Sequence, residues 1–578
     1  MRIKKLKGLN EKMRKLSCDV LIIGGGAAGL RAAIEAHDSG TDVLIVSKSR
    51  KGDPHTVLAT GGINGALATM DPNDNWMIHA ADTLKEGCLI ADYEKVMTLC
   101  KNAPKAILEL VKWGARFHKE PDGRLAQRFF GAHTYRRTCF FGDQTGKEII
   151  RVLMKQVKKR KLKFADNIFI TRILKKNDQV AGALGIDFKK KGLVIFQSKC
   201  IILAGGGYSR VYSVSSSRDF ENYGEGVALA YDAGAELADM EMVQFHPTGM
   251  VWPKKAIGIL ATEAIRGEGG MLFNAKNERF MTLYDPKRME LGPRDEVARA
   301  IYNEIALGRG TKHGGVWLDV THLPRERILK RLPKMYQQFK ELAEVDITKE
   351  RMEVAPTAHY SMGGVKTDLE GRTAVKGLLA VGEVTSQVHG ANRLGGNSLV
   401  ETLVFGKIVG KAAAEFSKQI ELETFEVKGA AEDLFLLKDA VGIRMEIQKT
   451  MCENVDIIRD ATKMIKALDR IRELEQVFDK SKTGGLKMDE NLKRTLELRA
   501  MLTVSEAIVR SALLRKESRG AHYRSDFQRM DDDNWKVSII CRNEEGEMKI
   551  FTEKVKPIGE ALKKMVVQET RRQYHYVE

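Results

Sequence analysis

The strongest constraint on the fold lies near the start of the chain, where Cys18-Asp19-Val20-Leu21-Ile22-Ile23 runs into Gly24-Gly25-Gly26-Ala27-Ala28-Gly29. An apolar run stopped by glycine reads as a buried parallel strand, covered on both faces. The glycines fit GxGxxG, and the residues after them, Leu30 to Ala36, are good helix formers. Gly24 reads as the tight turn, Gly26 as the point where a pyrophosphate nears the backbone, and Gly29 as a close helix–strand contact. Ala27 and Ala28 open the helix, whose free N–H groups and dipole favour the phosphates of a dinucleotide. A second strand, Asp42-Val43-Leu44-Ile45-Val46, ends in Ser47-Lys48 instead of the usual acid that holds a ribose. At this point FAD and a nicotinamide nucleotide are both open.

Later segments narrow the choice. His55-Thr56-Val57 is followed by Gly61-Gly62-Ile63, glycines that let backbone pass close to a flat ring system. Ile201-Ile202-Leu203 is a strand ending in Ala204-Gly205-Gly206. Gly377-Leu378-Leu379-Ala380-Val381-Gly382-Glu383 repeats the theme, followed by Asn392-Arg393-Leu394-Gly395-Gly396-Asn397-Ser398-Leu399. Two separated segments serving one cofactor imply a discontinuous domain with an insertion.

With these motifs in order, the sequence resembles the flavoprotein subunit of the succinate dehydrogenase/fumarate reductase family, from about Cys18 to Lys411 and again near Arg515 to Trp535. The fold expected is α/β. A Rossmann-like FAD-binding domain (1–243 and 354–420) is interrupted by a capping domain (244–353), then followed by a helical domain (421–520) and a small C-terminal domain (521–578). The resemblance implies FAD, held by the glycine turn and by Ser47, Lys48, Thr56, Gly61, Gly62, Ala204 to Gly206, Glu225, Glu383 and Asn397 to Leu399. It also implies a covalent flavin bond at His55, although Gly52-Asp53-Pro54 replaces the Arg-Ser common before that histidine. Such a bond raises the flavin potential toward that of the succinate/fumarate couple.

The insertion carries Gln244-Phe245-His246-Pro247-Thr248, Thr262-Glu263-Ala264-Ile265-Arg266 and Gly292-Pro293-Arg294, with His359 beyond it. A dicarboxylate needs cationic and hydroxyl donors at each end, and arginine offers a planar fork for a carboxylate. The resemblance assigns His246, Thr262, His359 and Arg393 to the substrate carboxylates. It assigns Arg294 to proton transfer and Glu263 and Arg266 to a relay that reprotonates it. The relay pair stands at i, i+3, neighbours if the segment is helical. The reaction implied is fumarate–succinate interconversion by hydride transfer with FAD. The alternative is an L-aspartate oxidase, converting aspartate to iminoaspartate with oxygen or fumarate as acceptor. His133 and Arg136-Arg137 resemble that side, but an oxidase places a glutamate where Phe130 stands, and a phenyl ring cannot pair an ammonium group.

Seven cysteines, at 18, 88, 100, 139, 200, 452 and 541, form no CxxC pair and fit a reducing cytoplasm. No metal site is expected. Electrons from the flavin therefore need a partner, by resemblance an iron–sulfur subunit. No uncharged apolar run approaches the roughly 18 residues of a membrane span, so membrane association is expected only through partners. The net charge of +18 suits an acidic partner, an anionic surface or a heat-adapted exterior. Lys155 to Lys163 lacks the interleaved aromatic residues of a nucleic-acid platform, so no nucleic acid is expected. Apolar residues recur at helical spacing as in Leu434, Leu437, Val441 and Met445, and 454–478 and 492–516 read as long amphipathic helices. Trp535 to Ile540 and Met548 to Phe551 read as a hairpin.

Overall fold

A computed structural model describes residues 13–423, 435–483 and 488–567. The glycine motif builds what the sequence predicts. Strand β1 (Arg14–Ile23) passes through the turn into helix α1 (Ala27–Asp38), and the chain returns as the fully buried β2 (Val43–Ser47). After a helical excursion come β3 (Lys163–Asp166), the antiparallel β4 (Ile168–Lys176) and β5 (Gln179–Asp187), and the long β6 (Gly192–Leu203). The strand order is β3-β2-β1-β6-β5-β4, with the first four parallel. Helix α2 (Glu225–Ala233) leads to β7 (Val243–Met250), where the chain leaves this layer.

The inserted stretch contains α3 (Glu263–Gly267) and α4 (Arg294–Glu304) and ends on β8 (Met352–Ser361), which pairs antiparallel with β7. It has its own apolar core, including Ile265, Leu318, Met335 and Phe339. The chain then re-enters the first sheet: β9 (Leu378–Ala380) adds parallel to the end of β6, and α5 (Asn397–Ser417) packs on α1. One α/β domain is thus assembled from segments on either side of an insertion, as expected.

Three helices follow, α6 (Ala440–Asn454), α7 (Ala461–Lys480) and α8 (Glu490–Leu514), and then the hairpin of β10 (Val537–Glu544) and β11 (Glu547–Lys554). Two details differ from the sequence reading. Asp439 caps α6, so Leu437 lies before the helix, and the buried stripe is Ala440, Ile443, Ile447 and Met451, while Val441 and Met445 face solvent. Leu434 lies outside the described residues. The second helix starts at 461, not 454, because Asp460 caps it and Ile458-Arg459 pairs as a strand with Tyr523-Arg524. Among the described residues no helix is long and apolar enough to cross a membrane. Lys155, Lys158 and Lys159 lie along the outer side of an amphipathic helix (Thr145–Lys159) whose inner side buries Ile149, Ile150, Leu153 and Val157, while Lys161 and Lys163 follow its end.

Candidate active site

Two cavities meet at the end of the parallel strands, where α/β sheets bind ligands. The smaller, about 180 Å³, is lined by the 24–28 turn, Ser47, Lys48, Ala204 to Gly206 and Glu225. The larger, about 1040 Å³, lies between the sheet domain and the insertion. His55, Thr56 and Glu383 line both.

The first is a dinucleotide cradle by the geometry of its glycines. A Cβ on Gly24, at φ +128°, would lie 2.1 Å from the carbonyl oxygen of Ala204. One on Gly29 would lie 2.0 Å from that of Gly24, so helix and turn touch as the motif requires. At Gly26 the nearest atom would be 3.5 Å away, leaving backbone open to the cavity. The residues present therefore fit FAD. Ala27 N–H donates to Thr56 Oγ1 at 3.3 Å, tying the histidine loop to the turn.

Lys48 bonds Glu225 and, at 3.0 Å, Glu497 from α8. Burial would lower the Lys48 pKa, but the two carboxylates outweigh it and raise it. The lysine that stands after β2, where the motif usually has an acid, is thus paired by carboxylates from two other segments. Glu383 is pushed up to about 7 by burial, which the neighbouring His55 only partly offsets. Gly61, Gly62, Ser398 and Leu399 line the larger cavity. Asn397 lines neither. Its side chain accepts from Asn64 Nδ2 at 2.7 Å, stands 2.8 Å from His79 Nε2 and donates to Thr83 Oγ1 at 2.9 Å. The sequence assigns it to the cofactor, but its side-chain bonds bind α5 to its neighbours.

Seven of the eight predicted substrate and proton-transfer residues, His246, Thr262, Glu263, Arg294, His359, Arg393 and Phe130, line the larger cavity. Strands β7 and β8 run side by side and bring His246 and His359 to 5.5 Å between ring centroids. His246 Nδ1 lies 3.2 Å from both the amide nitrogen and the carbonyl oxygen of Thr248, and His359 Nδ1 pairs with Ser216 Oγ at 2.9 Å. Burial, with Arg294 near one ring and Arg393 near the other, holds both imidazoles well below their usual pKa, hence neutral.

Arg294 opens α4. It donates through Nε to Glu263 Oε2 at 2.9 Å, closes on the same carboxylate through Nη2, and donates through Nη1 to Gln244 Oε1 at 3.0 Å. The same Gln244 oxygen accepts from Arg393 Nη2 at 2.9 Å. Burial alone would raise the Glu263 pKa, but Arg294 and Arg266 hold it far below the carboxylate range. Arg266 lies one helical turn behind, outside the cavity wall, with Nε and Nη2 unpaired in the described structure. Arg393 lies over the Tyr360 ring at 4.3 Å and is lowered to about 10, by burial first and then by Arg294. Phe130 is buried against the positions of Gly61 and Gly395. His133 and Arg137 are occupied elsewhere: His133 on the Gly395 carbonyl at 3.0 Å, Arg137 on Asp74 and Asp82.

Two contributors carry no signal in the sequence reading. Gln244 stands beside the His-Pro-Thr motif, and only its place between two arginines marks it. Glu221 sits in an unremarkable stretch, yet its carboxylate lies 2.8 Å from His55 Nδ1.

The FAD binding domain family matches residues 19–399, and the fumarate reductase flavoprotein C-terminal family matches 444–574. One subunit of the fumarate reductase (CoM/CoB) of Methanothermobacter marburgensis is 45% identical over 536 residues, covering 90% of this chain and 96% of its own. The 8-methylmenaquinol:fumarate reductase flavoprotein subunit of Wolinella succinogenes is 36% identical over 555 residues, with 92% and 90% covered. Among solved structures, Mycobacterium smegmatis Sdh1 in complex with UQ1 superposes with a TM-score of 0.86 at 38% identity, covering 98% of this chain and 99% of that one. The chain is an FAD-dependent oxidoreductase and belongs to the succinate dehydrogenase/fumarate reductase flavoprotein subunit family.

Proposed function

We propose that the chain interconverts fumarate and succinate in the larger cavity, with electrons exchanged through an iron–sulfur subunit. The observation that carries this reading is the cation excess there: Arg294 and Arg393 share one amide oxygen, and of the two only Arg294 is bonded to the carboxylate of Glu263. A dianion is the ligand such a site lacks. Bound FAD supplies the hydride acceptor or donor. His246, Thr262, His359 and Arg393 hold the two carboxylates. Both histidines donate as neutral imidazoles, and neither takes the proton meant for carbon.

Arg294 gives a proton to the alkene carbon in fumarate reduction and takes one in succinate oxidation. A guanidinium with a pKa above about 12 gives up a proton only when it is positioned and quickly reprotonated. Glu263, ionised and bonded to it, fixes its orientation and returns the proton, with Arg266 as the charge behind. Phe130 closes the wall beside the unsubstituted carbons, and the aspartate oxidase alternative is not favoured. The flavin is bonded to His55. Seven cysteines without a CxxC pair give the electrons no local carrier, hence the second subunit.

The purified chain, supplied with a reduced viologen dye, should convert fumarate to succinate one for one. Oxidation of aspartate with peroxide release, and no fumarate reduction, would overturn this reading.

A further inference from the structure

The histidine loop departs from the family pattern at Asp53-Pro54, and the structure shows what meets that departure. Arg218, 165 residues away in sequence, donates to Asp53 Oδ1 at 2.8 Å and to its carbonyl at 3.1 Å. The same guanidinium grips Glu221 through Nε at 3.1 Å and Nη2 at 2.8 Å, and Arg218 N–H adds a third bond to that carboxylate at 3.0 Å. Glu221 in turn lies 2.8 Å from His55 Nδ1. The glutamate is almost entirely buried, whereas a quarter of the His55 side chain is open to the cavity. The chain Asp53–Arg218–Glu221–His55 thus ends on a ring nitrogen in the wall of the flavin site.

We propose that Glu221 is the positioning residue for covalent flavin attachment, holding the proton of His55 on Nδ1 so that Nε2 presents its lone pair. The inference rests on the reading that His55 is the attachment point. Which imidazole nitrogen is nucleophilic is set by the hydrogen bond that the other makes, and a buried carboxylate is the strongest partner for that purpose. Arg218 fixes the carboxylate, and Asp53 fixes Arg218.

In the attachment step the Nε2 lone pair forms a bond to a methyl carbon of the flavin. One C–H bond breaks, and its proton and electron pair end on the flavin, which is thereby reduced by two electrons. The imidazole becomes a cation, for which Glu221 is the counter-ion. Fumarate and one proton reoxidise the flavin and leave as succinate, the same exchange that the site performs in turnover. Burial would lower the His55 pKa, but Glu221 outweighs it and raises it, which stabilises the cation formed on attachment, while the attack itself belongs to the neutral fraction of the ring.

The test is the intact mass of the chain expressed with FAD, read with the absorption of the folded protein. Wild type should carry the mass of one FAD through acid precipitation. Glu221→Gln should still bind FAD but lose at least about tenfold in the linked fraction or its rate of formation. Glu221→Asp should recover part of the loss, and His55→Ala should give none linked. A linked wild type with Glu221→Gln linked equally fast would overturn the role of Glu221 alone. A wild type with only dissociable FAD would overturn the attachment at His55 and this inference with it.

Discussion

Two buried clusters of arginine and carboxylate teach different lessons. Behind the hairpin, Arg515 bonds Glu241 at 2.7 Å, Glu517 at 2.9 Å and the Trp535 and Val537 carbonyls. Arg519 bonds Glu517, Asp532 and the Cys88 carbonyl. Every guanidinium nitrogen of both is used, and Asp239, pushed up to about 7 by burial and then by Glu241, adds a further carboxyl. In the cavity the balance runs the other way. Arg294 and Arg393 face the ionised Glu263, Arg393 Nε has no partner in the described structure, and its Nη1 bonds are long, 3.4 Å. Guanidinium groups bonded at every nitrogen hold segments together, even with Glu241 Oε2 beside them left without a hydrogen bond in the described structure, whereas guanidinium nitrogens left open at a cavity wall are arranged for a ligand.

Substitutions should separate the two. Arg294→Ala should cut fumarate reduction by roughly 10²–10⁴-fold while FAD stays bound, with a smaller fall in Tm than Arg515→Ala because Gly131 N–H and the Arg266 charge still meet the Glu263 carboxylate. Arg515→Ala should do the reverse, costing about 3–5 kcal/mol by leaving Glu241 and Glu517 buried and unpaired, seen as a large fall in Tm. If Arg294→Ala lost stability rather than turnover, the two clusters would not differ as described.

Acid should sharpen the contrast. His246 and His359 in the cavity and His522 beside the saturated cluster are all held well below the usual imidazole pKa, by burial first and then by nearby arginines. The unfolded chain takes up these protons near pH 6.5 and the folded chain does not, so this stability is present above about pH 6.5 and lost as pH falls below it. A bound dianion raises the two cavity values only. Thermal unfolding at pH 5.5 and 7.5 should therefore show a smaller acid loss with succinate than without it. An equal loss would place no dianion beside those histidines.

The smallest effect concerns approach. Lys254, Lys255 and Lys334 also line the larger cavity. Raising ionic strength from about 0.01 to 0.15 M should lower kcat/KM for fumarate several-fold, with kcat little changed, as screening shortens from about 30 to 8 Å. A kcat/KM independent of salt would deny these lysines a steering role.

Much of this was legible in the sequence, for a physical reason. The cradle from Gly24 to Gly29 is contiguous, so its strand, turn and helix are all fixed by local constraints. The cavity residues sit beside glycine and proline turns in a known order, which marked His246, Arg294 and His359 before any geometry. What the sequence hid is made by distance. Glu497 pairs Lys48 from 449 residues away, and no motif announces it. Gln244 is one amide among many until two arginines point at it. Arg218 and Glu221 meet His55 only because α2 follows β6 back to the strand ends. Helix starts at 440 and 461 depended on which aspartate caps, a choice the apolar spacing does not contain.

The central claim is that the larger cavity is built for a dianion. Titration of the oxidised holoprotein with succinate, followed by flavin absorbance, tests it directly, with butyrate as the one-carboxylate control and Arg393→Ala as the variant. Saturable binding of succinate, at least tenfold weaker for butyrate and for the variant, is the result expected. Succinate binding no tighter than butyrate, and unaffected by loss of Arg393, would contradict it.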